Sequence, residues 1–143
     1  MRNYTIPAGY AKKHGKSLTK IMGSSFDADE NGKSATGSFD SDRDFEKLED
    51  YLILHSIPFD RFIDTWEDGV AYYRIYRSDR PGRAYDRERQ VLDEGPENIA
   101  VSLKEIKDIL DSQKTEEEKV FTLECFINSR AFPPYTKIEE ISM

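Results

Sequence analysis

Cysteine is almost missing from this chain: Cys125 stands alone among 143 residues, so no internal disulfide and no cysteine-based zinc site can form. That shortage suits a reducing compartment, and the expected location is the cytoplasm. Long apolar runs are missing too. No segment approaches the ~20 apolar residues that a membrane span requires, and the start, MRNYTIPAGYAKKHGKS, has no apolar stretch of the kind a secretory leader carries. There is no glycine-rich phosphate loop, no HExxH and no dinucleotide fingerprint. Histidine is scarce, with only His14 and His55, and neither stands in a Ser/His/Asp or Cys/His pattern. An enzyme with an unrecognised site therefore ranks last among the functional readings, and no catalytic residue and no cofactor is expected.

No linker rich in Pro, Gly or Ser divides the chain, and no fixed-period repeat runs through it. With 37% hydrophobic and 12% aromatic content, residues 1–143 read as one folded domain. Charge is segregated around a net of -7. Residues 1–26 carry five bases and no acid; residues 27–70 are strongly acidic; residues 71–89 hold six arginines; residues 90–143 are acidic again. Segment 1–16 is expected to be a flexible basic arm.

Asp27-x-Asp29-x-Asn31-Gly32 looks like the first half of a calcium loop. Position 12 of such a loop needs a bidentate Glu and is Ser38 here, and the flanks alternate like strands rather than helices. A hairpin turn at Asn31-Gly32 is the better reading, and no metal is expected. That turn pairs Phe26 with Gly37 and Ser24 with Phe39. It aligns Leu18, Met22, Phe26, Ala35 and Phe39 on one face and lets Phe26 lie over the bare glycine.

Three helices are expected. The first follows Ser41-x-x-Asp44, carries Phe45, Leu48, Leu52 and His55 on one face, and ends before Pro58. The second follows the capping box Ser102-x-x-Glu105, with Leu103, Ile106 and Leu110 on its apolar side. The third follows Thr115-x-x-Glu118, with Val120, Leu123 and Ile127. Cys125, beside that last stripe, is expected to be a buried inert thiol. Between the first two helices the period drops to 2, and Asp68-Gly69 marks a second hairpin. That register sets Asp60 opposite Arg77, Phe62 opposite Ile75 and Trp66 opposite Ala71 on a core face. Arg61 then opposes Tyr76, Ile63 opposes Arg74 and Thr65 opposes Tyr72 on a decorated face. Gln90–Asp93 and Ile99–Ser102 suggest one more short pair. The order ββαββ(ββ)αα makes an α+β domain, a mainly antiparallel sheet of four to six strands with helices on one side.

Two surfaces follow as candidates. One is the Arg/Tyr face: Arg61, Tyr72, Arg74, Tyr76, Arg77 and Arg80. Arg and Tyr are the types that dominate protein-binding hot spots, and the leading reading is a regulatory or accessory protein that binds another protein. The same stretch, 72–90, suits single-stranded nucleic acid as an alternative, while internal pairing of its arginines with the flanking acids needs no partner. The other surface is the acidic helix face of Asp42, Glu46, Glu49 and Asp50, which would meet a basic partner. No membrane partner is expected.

Overall fold

The computed structural model describes residues 1–39, 44–65, 70–80 and 83–141, with the side chains of Asp79, Arg80 and Arg83 left undescribed. The domain is α+β. Six strands, β1 (Arg2–Pro7), β2 (Asp27–Ala28), β3 (Ser34–Phe39), β4 (Phe59–Thr65), β5 (Val70–Arg80) and β6 (Arg83–Val91), form one antiparallel sheet in the order β2-β3-β1-β4-β5-β6. Four helices accompany them: α1 (Ala8–Met22), α2 (Phe45–Leu54), α3 (Leu103–Leu110) and α4 (Glu116–Arg130).

The N-terminal segment differs most from expectation. Residues 1–16 are not a flexible arm: β1 lies in the middle of the sheet, paired with β3 on one side and β4 on the other, and α1 follows at once. Tyr4 and Ile6 of β1 and Leu18 of α1 are buried, so this basic stretch supplies core residues. Leu18 and Met22, expected in a strand, belong to α1, which ends at Gly23 in the left-handed conformation that glycine adopts without strain. The first hairpin keeps its expected register, Asp27 opposite Thr36 and Ala28 opposite Ala35, but its first strand is only two residues long.

Phe26 does lie over Gly37. A Cβ built there would come within 3.2 Å of Phe26 Cδ1 and 2.8 Å of Phe39 Cζ. The oxygens that suggested calcium are engaged inside the turn. Asn31 Oδ1 accepts from Lys33 N at 2.8 Å and Ser34 N at 3.1 Å, and Asp29 Oδ2 accepts from the hydroxyls of Ser34 at 2.6 Å and Thr36 at 3.0 Å.

The second hairpin is offset by two residues from the expected register: Phe59 faces Tyr76, Arg61 faces Arg74 and Ile63 faces Tyr72. Asp68-Gly69 and Trp66 lie outside the described residues, as do Ser41 and Asp42; α2 begins after Asp44, which carries φ 65° and caps no backbone amide through its side chain. An offset of two preserves which residues share a face, but the roles of the faces differ. The face expected to be decorated, with Phe59, Arg61 and Tyr76, is the one that α1 and α2 cover, and it joins Tyr4, Ile6, Phe39, Phe45, Leu48, Leu52 and Ile57 in the main core. Full burial of each such side chain contributes roughly 1.5–3 kcal/mol.

The opposite face, with Asp60, Tyr73, Ile75 and Arg77, lies under residues 131–141, whose Ile138 is also buried. Beyond β6, Val91 bridges Ile99 and Ala100 N donates to Gln90 O at 3.0 Å, the short pairing read from the sequence.

Candidate protein-interaction surface

The two candidate surfaces meet each other. Arg61, buried on β4, makes ion pairs to Glu49 of α2 and Glu88 of β6. Arg74, its cross-strand neighbour, forks onto Asp86 with Nε at 2.9 Å and Nη2 at 2.7 Å, and Nη1 lies 3.4 Å from Glu49. Hydrogen bonding to Asp86 is the main reason its guanidinium holds its proton even more firmly than usual. Glu49 is thereby turned inward from the acidic helix face, while Glu46 and Asp50 stay exposed. Arg2 lies over the Phe45 ring, 3.9 Å from its centroid, at the rim of an open cleft of about 440 Å³ that Glu46, Glu49 and Arg61 also line.

Arg77 points the other way, under the C-terminal segment, and is 1% exposed. Its Nη1 lies 2.8 Å from Asp60 Oδ1 and donates to the carbonyls of Phe59 and Tyr76, while Nε donates to Thr136 O at 2.7 Å. Tyr73 donates to Asp60 Oδ2 at 3.2 Å. Burial raises the Asp60 pKa, outweighing the pull of Arg77 and Tyr73 in the other direction. Burial, with the Asp60 charge second, raises that of Tyr73. Phe132 and Tyr135 lie over this cluster, and Tyr85 donates to Pro133 O at 2.7 Å.

The Arg/Tyr face is therefore largely interior. Arg61, Tyr76 and Arg77 are buried, Tyr76 stacks on Phe59 with ring centroids 5.3 Å apart, and Arg74 is half-buried in its ion pairs. Tyr72 is exposed, and the side chain of Arg80, like Asp42, lies outside the described residues. Internal ion pairs engage Arg61, Arg74 and Arg77.

The sequence reading also passed over the two histidines as a pair. Tyr10 and His14 of α1, and Tyr51 of α2 and His55 at its C-terminal cap, are each spaced i, i+4, and the helices bring them together. His14 Nδ1 lies 2.7 Å from the Tyr51 hydroxyl, and the two imidazole centroids are 5.2 Å apart. Burial first, then the neighbouring His55 and Lys13, lowers the His14 pKa.

The α3–α4 pair is the part of the structure left open. Both helices are capped as their sequences require: Ser102 accepts from Glu105 N at 3.4 Å and Thr115 accepts from Glu118 N at 3.2 Å. The two lie antiparallel, with Arg130 at the end of α4 bonded to Glu105 at the start of α3 at 3.0 Å. Ile106 and Ile109, Leu123 and Phe126 are half-buried, and no residue of either helix is buried. Leu103 (66%), Leu110 (50%), Val120 (56%) and Ile127 (52%) are exposed. Cys125, expected inside, is exposed as well.

Leu103 and Leu110 are seven apart, as are Val120 and Ile127, so each pair stays within about 20° on its helix. Each pair lies roughly a quarter-turn round from the residues facing the other helix, and antiparallel packing brings both to the same side. The result is one apolar side running along two helices. Among the described residues no helix is long and apolar enough to cross a membrane. No protein-family model, no curated protein and no solved structure matches the chain.

Proposed function

We propose that this protein is a non-enzymatic binding or regulatory module of the reducing cytoplasm, acting through a protein–protein contact on the apolar side of α3–α4. The carrying observation is that Leu103, Leu110, Val120 and Ile127 keep half or more of their surface in water although they lie in line on two capped helices. Helices of 8 and 15 residues draw most of their stability from packing an apolar face, and no residue of either helix is buried among the described residues. Contiguous exposed apolar patches of this kind mark interaction sites. The sheet, covered on both faces, is the scaffold that carries the helix pair.

The test is capture of partners in host cells by a tagged chain, with an untagged copy of the chain present and counted as a partner. Val120→Asp with Ile127→Asp should abolish capture, while circular dichroism and the unfolding midpoint stay near those of the wild type because neither side chain is in the core. Capture undiminished in this variant would place the contact elsewhere and overturn the proposal.

A further inference from the structure

We infer that Asn31-Gly32 is a site of covalent self-modification that the folded turn holds in check: Asn31 deamidates when the turn is open and is spared while it is closed. Nothing in this depends on the α3–α4 surface. The sequence supplies the reactive pair. In a mobile chain the backbone nitrogen that follows an asparagine can reach its side-chain carboxamide, and glycine obstructs that approach least, having no Cβ and free access to both signs of φ. The Gly32 nitrogen attacks Asn31 Cγ and gives up its proton to solvent base, the Cγ–Nδ2 bond breaks, and ammonia leaves. Water then opens the cyclic imide. Cleavage between Cγ and the Gly32 nitrogen leaves an aspartate at position 31. Cleavage between the main-chain carbonyl carbon and that nitrogen leaves an isoaspartate, whose backbone runs on through Cβ and Cγ.

Both reacting groups are engaged elsewhere in the folded turn. Gly32 N, the nucleophile, donates to Asp29 O at 2.9 Å. The carboxamide is held at both ends. Its Oδ1 takes the Lys33 and Ser34 amides, and its Nδ2 donates to Ser34 Oγ at 3.2 Å, while the Ser34 hydroxyl proton goes to Asp29 Oδ2. Ser34 is 3% exposed, so this anchor is shielded although Asn31, Gly32 and Lys33 stand in water. The two amides on Oδ1 polarise Cγ, but the nitrogen that would exploit this is bonded to Asp29. Attack therefore waits for an opening that breaks several of these bonds together. Their net contributions multiply, which keeps the open turn well below about one molecule in ten.

The isoaspartate product is a one-way change. It inserts an extra main-chain atom into a turn whose Gly32 already stands at φ 68° and whose Lys33 O accepts from Ala8 N at 3.0 Å. The register that sets Asp27 against Thr36 is then lost, and β2, two residues long, pairs with β3 alone. A chain that has stayed open long enough to react carries a permanent record of it at this edge of the sheet.

The full chain, incubated in mildly alkaline buffer both folded and in guanidinium chloride, tests this, with residue 31 followed by peptide mapping and mass spectrometry. The folded chain should convert at least about tenfold more slowly than the unfolded one. Ser34→Ala removes the anchor of Nδ2 and should speed conversion of the folded chain by about threefold or more, with circular dichroism unchanged. Hydrogen exchange at the Gly32 amide of the wild type should show protection of at least about tenfold, a reading that stands even where Ser34→Ala does not fold.

Conversion of the folded chain within about threefold of the unfolded rate overturns the inference, as does a Gly32 amide that exchanges like that of an unstructured peptide. An unfolded chain that keeps its Asn31 amide overturns it too, because the pair is then not reactive. A folded Ser34→Ala variant that reacts no faster than wild type has the same force, since the anchor would then not be what holds the site closed.

Discussion

Arg77 is held by an Asp60 carboxylate and three backbone carbonyls in an interior that a long basic side chain enters only when its charge is answered. Arg77→Met should therefore cost about 3 kcal/mol or more, since it strands the Asp60 carboxylate in a buried site. Adding Asp60→Asn should recover part of that loss. Urea unfolding of the three proteins at neutral pH checks it, and a loss below about 1 kcal/mol for Arg77→Met would mean the pair contributes little. His14 gives a pH dependence. Its folded pKa lies below the ordinary 6.5, so the unfolded chain takes up the proton first. The stability it contributes is complete above 6.5 and is lost as pH falls from there through the folded value. Asp60, shifted upward, has the opposite sign: its contribution is complete below 3.8 and is lost as pH rises from there. Replacing His14 with Gln should thus lessen the fall in melting temperature between about pH 7.5 and 5.5 relative to wild type. Equal slopes in the two proteins would show that the histidine cluster does not couple to folding.

At the scale of elements, what could be read from the sequence was local. The boxes at Ser102 and Thr115 and the apolar spacing of 45, 48 and 52 are settled within one turn of helix, and α2, α3 and α4 appear where those signals stand. The turn at Asn31-Gly32 fixed the pairing of Asp27 with Thr36 for the same reason. What could not be read was decided by distant partners. A period-2 pattern separates the two faces of β4 and β5 but carries no mark saying which one a helix will cover, and Arg61 is buried because Glu49, twelve residues away, comes to meet it. In residues 8–22 the helical signal competed with a strand pattern continued from the turn, and the pull of β1 between β3 and β4 is invisible in the local sequence. For the interaction surface, the stripes of α3 and α4 were legible but their exposure was not, because the same spacing serves a core and an interface. The distance between pairing partners also orders assembly. β5 and β6 are neighbours in sequence, whereas Arg2 pairs with Ile63 and Phe39. Pulse-labelled amide exchange during refolding should protect residues 72–77 and 85–90 before residues 2–6; earlier protection of β1 would reject this order.

The whole molecule is a sheet covered on both faces with an exposed helix pair attached. One face lies under α1 and α2, and the other under residues 131–141. The lysines of α1, Lys12, Lys13, Lys16 and Lys20, project into water, and the exposed flank of α4 begins with Glu116, Glu117 and Glu118, whereas Arg74 and Arg77 of β5 are paired with acids brought from other parts of the chain. Such a molecule could in principle also associate through its sheet, because every open sheet has two bare edges. Here those edges are poor templates for polymerisation. β2 is two residues long, and the outer strand β6 carries Asp86, Arg87, Glu88 and Arg89 in succession. A strand from another chain added there would have to lie beside an unbroken row of alternating charge, which disfavours the endless stacking that leads to fibres. The fold thus disfavours growth by sheet extension, while Leu103, Leu110, Val120 and Ile127 form an aligned apolar row on a helical site that one partner can saturate.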